Sequence, residues 1–230
     1  MSAQGLKVGL GFEVSKSQYH HGQPDIAYNR HANRHLVVWE QKAGAGQPTD
    51  VRGRQVHGDG SGTYGNAFNI GWFTTDSTMP AVAAIPTSPG NIKFMVVYQI
   101  FNNPGNHQIA GNFIKEDGTV LPPVYPTLSA NDDTSPAVAG SEGSQEYLVA
   151  WREDVGNKDK PIKARLYSSS GDDLGAAFEL GGPATDQPAI AAGYLGDFLL
   201  AWHDMPISSA FYHLFGALYG RRNYLPLVNR

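Results

Sequence analysis

Apolar positions recur along this chain in the same order four times. Each recurrence begins with the pattern Pro-x-Val/Ile-Ala, which opens at Pro24, Pro80, Pro136 and Pro188, at intervals of 56, 56 and 52 residues. A second apolar run follows each opening and ends in an aromatic residue; these residues are Trp39, Tyr98, Trp151 and Trp202. Self-similarity at such a period indicates a repeat architecture, in which each unit buries its apolar face against its neighbours.

The third repeat shows most clearly what one unit contains. Residues 136–140 and 146–153 are apolar stretches separated by a Gly-Ser turn, residues 162–167 alternate apolar with polar side chains, and residues 177–180 close the unit. A period of two, interrupted by clusters of Gly, Pro, Asn and Asp, predicts short antiparallel strands rather than helices. The sequence therefore predicts an all-β fold built from four-stranded units.

Four such units predict a small β-propeller with four blades of four antiparallel strands. We predict a single domain over residues 1–230, because the repeats leave no room for a second one. The predicted blades are residues 24–71, 80–128, 136–181 and 188–228. Alanine residues recur at matched places in the first strand of every unit, as a narrow hub requires.

A surplus strand raises the question of how the ring closes. Residues 8–15 resemble the fourth strands of the first and third units, and Phe12 precedes Pro24 by 12 residues, as Phe68 precedes Pro80. We expect this N-terminal strand to complete the last blade, because an unpaired strand edge invites association. Residues 224–228 fit the same place; in that case the N-terminal strand caps an edge, in this molecule or in a neighbouring one.

Several short motifs recur within the units. They are the run Phe/Tyr-Leu-Val-x-Trp, a strand that carries Gly before Arg or Asn, a turn such as residues 116–119, and a closing Phe-x-Ile/Leu. Together they resemble the propeller-type repeats found in tandem in many bacterial proteins of unassigned role, over about residues 8–228. The resemblance implies a blade and carries no activity with it.

Composition narrows the possible partners. The formal charge is −4 and the 17 Lys and Arg residues are scattered, so no basic surface for nucleic acid is expected. The chain has no cysteine, which excludes disulfides and thiolate metal sites. No apolar run approaches the roughly 18 residues of a membrane span, and no signal peptide opens the sequence. We expect a soluble monomer or small homo-oligomer without a membrane partner, in a compartment that the sequence leaves open.

The loops from each fourth strand to the next first strand, together with those from each second strand to the third, form the predicted binding face. The candidate ligand-binding residues there are Tyr19, His20, His21, Trp72, Asp76, Asp133, Asp186 and His203. Asp precedes three of the four prolines, and converging carboxylates would suit Ca²⁺ or Mg²⁺. Asp residues that bond their own backbone in turns explain the same pattern. The paired imidazoles of His20 and His21 fit a transition metal or a sugar, or two solvated surface histidines.

The predicted hub lacks the residues of a hydrolytic enzyme. Propeller glycosidases place two or three carboxylates on their inner strands, whereas only Asp25 is acidic there. No nucleophile elbow, phosphate loop or zinc motif is present. We therefore expect a recognition module that has no enzymatic activity and no cofactor and that binds a glycan or a protein. Two alternatives remain, namely a metal-dependent hydrolase with its site at the channel mouth and a structural or assembly protein.

Overall fold

A computed structural model describes residues 11–71, 74–86, 90–103, 105–127, 130–156, 160–182, 184, 187–204 and 213–220. These residues contain fourteen strands and no helix, which confirms the all-β prediction. The strands are β1 (His20–Asn29), β2 (Arg34–Lys42), β3 (Thr49–His57), β4 (Thr63–Gly71), β5 (Ser77–Ala84), β6 (Ile92–Asn103), β7 (Asn106–Lys115), β8 (Asp132–Ser141), β9 (Glu146–Asp154), β10 (Ile162–Ser168), β11 (Phe178–Gly181), β12 (Ala189–Ala192), β13 (Asp197–Asp204) and β14 (His213–Gly220). The same part of the chain contains no helix long and apolar enough to cross a membrane.

The strands form antiparallel sheets whose strand order follows the chain. Sheet 1 contains β1–β4, sheet 2 contains β5–β7, sheet 3 contains β8–β11 and sheet 4 contains β12–β14. Beside β7, the place of a fourth strand in sheet 2 is taken by a segment that pairs only through single bridges, at Val120 and Val124. This arrangement is consistent with a β-propeller.

The first strands of sheets 1, 2 and 3 share an irregularity at their proline. The register shifts between Gly22 and Asp25, between Thr78 and Ala81, and between Thr134 and Ala137. The residue before each proline has a positive φ, of 45° at Gln23, 52° at Met79 and 57° at Ser135. Proline has no N–H for the ladder and is tolerated at bulges. Each strand therefore begins before its proline, whereas the sequence prediction started it at the proline.

The first strands of the four sheets lie around a common cavity. β1 packs on β5, β5 on β8, and β8 on β12. The cavity, of about 400 Å³, is lined by residues from all four strands. Small side chains such as Ala81, Ala137 and Ala189 line it, and Asp25 supplies the carboxylate. Both oxygens of Asp25 accept backbone hydrogen bonds, from Ile26 N and from Val82 N. We call this centre the hub.

Buried side chains join each sheet to the next. The cluster between sheets 1 and 2 includes Leu36, Val38, Val82 and Phe94. The cluster between sheets 2 and 3 includes Met95, Val97, Tyr147 and Trp151. The cluster between sheets 3 and 4 includes Leu148, Ala164, Leu200 and Trp202. Sheet-on-sheet packing of apolar faces therefore runs in series from sheet 1 to sheet 4.

Among the described residues, the outer faces of sheets 4 and 1 carry exposed apolar side chains. Leu199 and Leu218 of sheet 4 are 54% and 57% exposed, and Ile26 of sheet 1 is 57% exposed. The matching residues at the interface of sheets 1 and 2 are Leu36 and Val82, which are buried. The structure therefore does not show the predicted ring closure. Residues 11–15 of the predicted closing strand are not in a strand, and residues 8–10 and 224–228 lie outside the described residues.

Candidate functional site

The structure distributes the predicted site residues over several sheets. Trp72 and Asp186 lie outside the described residues, and His203 lies near the end of β13. Tyr19, His20 and His21 lie at the start of β1. The ring of His21 lies edge-on to Trp39, with centroids 6.2 Å apart, and its Nε2 is 3.1 Å from the Ser17 hydroxyl.

The Asp residues before the prolines hold neighbouring strands. Oδ1 of Asp76 accepts a hydrogen bond of 2.7 Å from Thr49 N, at the start of β3. Oδ1 of Asp132 likewise accepts a 2.7 Å bond from His107 N, near the start of β7. Both carboxylates therefore tie the approach to one sheet to the third strand of the preceding sheet. A turn that bonds its own backbone does not account for this pattern.

The described side chains do not test the predicted metal site. Within the described ranges, no three His, Asp or Glu side chains are placed to hold one ion. Asp186, one of the three carboxylates predicted to converge, is not among the described residues. The Ca²⁺ or Mg²⁺ site at the channel mouth therefore stays a prediction.

Asp133 lies in a different place, a cavity on the side of sheet 3 that faces sheet 2. We call it the lateral cavity; its volume is about 300 Å³. Its lining residues are Pro126, Thr127, Asp133, Trp151, Glu153, Lys163, Arg165, Ala176 and Ala177. The loop from β7 to β8 therefore supplies one wall, and sheet 3 supplies the others.

Strand register brings the charged residues of the lateral cavity together. Asp133 on β8 is directly opposite Glu153 on β9, and Trp151 is directly opposite Lys163 on β10. Side chains at opposed positions, and at positions two apart, lie on the same face of a sheet. Asp133, Trp151, Glu153, Lys163 and Arg165 therefore share one face.

The two carboxylates of the lateral cavity have different surroundings. Asp133 is fully buried, and its Oδ1 accepts a 3.0 Å hydrogen bond from Trp151 Nε1. The Glu153 side chain is 13% exposed and lies 3.6 Å from Lys163 Nζ, which also lies 3.2 Å from Glu179. Two carboxyl groups that face one cavity are the minimum that acid–base hydrolysis of a glycosidic bond requires.

Sequence reasoning identified Asp133 but not Glu153. Glu153 ends the second strand of its unit, and the search for carboxylates was restricted to the first strands and the connecting loops. The available signal was its position two residues after Trp151, which places both side chains on one face. The partner on the neighbouring strand follows only from the register, which depends on the bulge before Pro136.

Comparisons with known proteins find similarity in structure alone. No protein-family model and no curated protein matches the sequence. An N-acetylgalactosamine deacetylase from F. plautii, solved with blood group B trisaccharide, matches 90% of this chain and 74% of its own, at 10% identity and a TM-score of 0.54. An α-L-arabinofuranosidase from Podospora anserina, solved with cellotriose, matches 86% of this chain and 63% of its own, at 10% identity and 0.50. An α-L-arabinofuranosidase from Lactobacillus brevis matches 88% and 73%, at 12% identity and 0.51.

These likenesses confirm the β-propeller-like fold that the repeats predict. They contradict the prediction of a recognition module without enzymatic activity, because the three matched structures are those of enzymes. The hydrolase that the sequence analysis kept as an alternative agrees better with them. The prediction considered the carboxylates of the first strands and the connecting loops, and it left out Glu153, which lines the lateral cavity together with Asp133.

Proposed function

We propose that this protein is a hydrolase that cleaves glycosidic bonds, with Asp133 and Glu153 as its acid–base pair. The observation that carries the proposal is the directly opposed placement of these two carboxylates in one cavity of about 300 Å³. Trp151 is 2% exposed, and its indole N–H holds the Asp133 carboxylate in place. The enzymes that share the fold support a glycan as the substrate, since two of them are glycosidases.

The spacing of the pair suits this chemistry. Opposed residues of an antiparallel pair have Cβ atoms about 4.5–5.5 Å apart. Carboxyl groups about 5–5.5 Å apart serve retaining glycosidases, and separations of about 6.5–9.5 Å serve inverting ones. Both separations are within reach of one Asp and one longer Glu side chain. Lys163 fixes the Glu153 carboxylate from one side, so the water or sugar must approach from the open side of the cavity.

The test is hydrolysis by the purified chain and its variants. Substrates are 4-nitrophenyl glycosides, beginning with the α-L-arabinofuranoside, together with arabinan and arabinoxylan, from which reducing ends are counted. We expect Glu153→Gln and Asp133→Asn to lower kcat by about 10²–10⁴-fold, the usual contribution of a positioned acid or base. The far-ultraviolet circular dichroism and Tm of each variant show whether it is folded.

Glu179→Gln is the matched control for Glu153→Gln. It removes the other carboxylate partner of Lys163, but Glu179 does not line the lateral cavity. We expect its kcat to equal that of the wild type. Hydrolysis that survives in folded Glu153→Gln overturns the assignment of the pair, and a panel in which no substrate is hydrolysed overturns the proposed function.

We propose further that the four sheets are the four blades of one propeller and that the ring closes between sheets 4 and 1. The common cavity lined by all four first strands supports a single hub. The exposed apolar faces support the closure, because Leu199 and Ile26 match residues that are buried at the interface of sheets 1 and 2. Closure would bury both faces in the same way, within one domain.

Two equivalent arginines support the N-terminal segment as the closing strand. Arg165 of sheet 3 donates Nη1 to the carbonyl of Pro126, ten residues before Pro136. Arg54 of sheet 1 donates Nη1 to the carbonyl of Val14, ten residues before Pro24. Pro126 follows the segment beside β7 in the preceding sheet, and the matching bond to Val14 supports a place for the N-terminal segment on the sheet that would precede sheet 1 in a closed ring.

A further inference from the structure

A set of residues in sheet 1 occupies the same strand positions as the residues that line the lateral cavity in sheet 3. Strand register matches the residues one by one, because Trp39 is opposite Arg52 as Trp151 is opposite Lys163. His21 is opposite Gln41 as Asp133 is opposite Glu153. Arg54 and Arg165 also match, and each donates Nε to a glycine carbonyl, of Gly65 and Gly175. The two sets of positions have the same strand register but carry different side chains.

The two sheets differ in whether the buried N–H donors at these positions have acceptors. In sheet 3 the indole N–H of Trp151 donates to the carboxylate of Asp133. In sheet 1 the matching Trp39 is 4% exposed, and its Nε1 is buried without a hydrogen-bond partner. The Nε of Arg52, on the strand beside it, is also buried without a partner. Buried donors in native proteins are nearly always paired, so two neighbouring ones require an explanation.

The neighbouring groups do not supply the missing acceptor. The Nε2 of His21 already lies 3.1 Å and 3.3 Å from the hydroxyls of Ser17 and Ser15. Burial raises the pKa of Asp50, and the positive charge of Arg52 opposes that rise. Asp50 nevertheless does not form an ion pair with Arg52 within 4.0 Å among the described residues. Arg52 and Trp39, at opposed positions of β3 and β2, therefore each present a buried N–H donor without an acceptor in the described part of the chain.

We propose that sheet 1 binds a small oxyanion, the carboxylate, sulfate or phosphate group of a ligand, between Trp39 Nε1 and Arg52 Nε. The anion accepts from Trp39 the kind of hydrogen bond that the Asp133 carboxylate accepts from Trp151 in sheet 3. Sheet 1 has His21 at the position that matches Asp133. A guanidinium and an indole N–H are both donors without acceptor capacity, and charge-assisted bonds to an oxyanion are among the strongest that a protein makes. His21 and Ser17 are exposed, so the rim of the site is open to solvent.

The indole N–H signals in ¹H–¹⁵N spectra test the proposal directly. The chain has four Trp residues, and Trp39→Phe assigns the signal of Trp39. Sodium acetate, sulfate and phosphate are titrated separately, with ionic strength held constant by sodium chloride. We expect the Trp39 signal to shift and saturate, half-maximally at roughly 1 mM for the preferred anion. The Trp151 signal stays in place, because its N–H already donates to Asp133.

Variants of the matched basic residues separate a specific site from a general salt effect. Arg52→Gln removes the charged donor. We expect it to lower the affinity for the anion at least 10-fold, while the other indole signals keep their native positions. Lys163→Gln, at the matching place in sheet 3, leaves the Trp39 titration unchanged. The proposal is overturned by a Trp39 shift that is linear in anion concentration, by an equal shift of Trp151, or by an undiminished shift in Arg52→Gln.

Discussion

At the scale of the residue, the close approach of β8 to β5 depends on a glycine, which has no Cβ. Gly140 lies on β8, and a Cβ added there would lie 2.5 Å from the carbonyl oxygen of Ala84 on β5. The clashing atom belongs to the backbone, so no side chain can turn away to make room. The packing of sheet 3 on sheet 2 near the hub therefore requires glycine at this position.

Gly140→Ala should accordingly destabilise the fold. Overpacking a close contact costs typically about 1–3 kcal/mol, and we expect the free energy of unfolding in urea to fall by that amount. Gly44→Ala is the control, because a Cβ at Gly44 meets no atom within 4 Å. Its change should stay within about 0.5 kcal/mol. Equal stabilities of the two variants would show that sheets 2 and 3 do not approach as described.

At the scale of the element, side chains from one sheet hold the first strand of the next. Oε1 of Glu40, on β2, accepts a 2.7 Å hydrogen bond from Met79 N, and Oε1 of Gln99, on β6, accepts a 3.3 Å bond from Ser135 N. Met79 and Ser135 are the residues with positive φ before Pro80 and Pro136. Each bulge therefore frees an N–H from its own ladder, and the preceding sheet supplies the acceptor.

Replacing the acceptor of the first bulge should measure its contribution. Glu40→Ala leaves Met79 N without a partner, so we expect the free energy of unfolding to fall by about 1–3 kcal/mol. Glu40→Gln retains a carbonyl oxygen at the same reach and should lose less than half as much. Urea unfolding of both variants gives the comparison. If Ala and Gln cost the same, the bond from Met79 does not stabilise the bulge.

The strands themselves could be predicted, but their connections could not. A continuous apolar run predicted β9, and alternation of apolar and polar residues predicted β10, both almost to the residue. The first strands of sheets 1, 2 and 3 began too late in the prediction, because a proline was taken as a start signal instead of a bulge. The pairing of Asp133 with Glu153 depends on that bulge and on the register across it, and neither can be read from spacing along the chain.

At the scale of the whole molecule, similar apolar faces meet at each junction between consecutive sheets, and one pair of such faces, on sheets 4 and 1, is exposed among the described residues. Three apolar clusters join the four sheets in series. Leu199 and Leu218 on sheet 4, with Ile26 on sheet 1, continue that pattern but are more than half exposed. A contiguous exposed apolar face of this kind marks an interface. The ring that we propose would bring these two faces together without a second molecule.

The reactivity of one introduced thiol tests the closed ring most directly. The chain has no cysteine, so single-cysteine variants report on one position each. Leu36→Cys, at a fully buried position, and Leu195→Cys, at one that is 58% exposed, set the slow and fast limits of reaction with a thiol reagent. Light scattering confirms that the protein under assay is monomeric. A ring of four blades predicts that Leu199→Cys reacts as slowly as Leu36→Cys, whereas reaction as fast as that of Leu195→Cys in the monomer would contradict it.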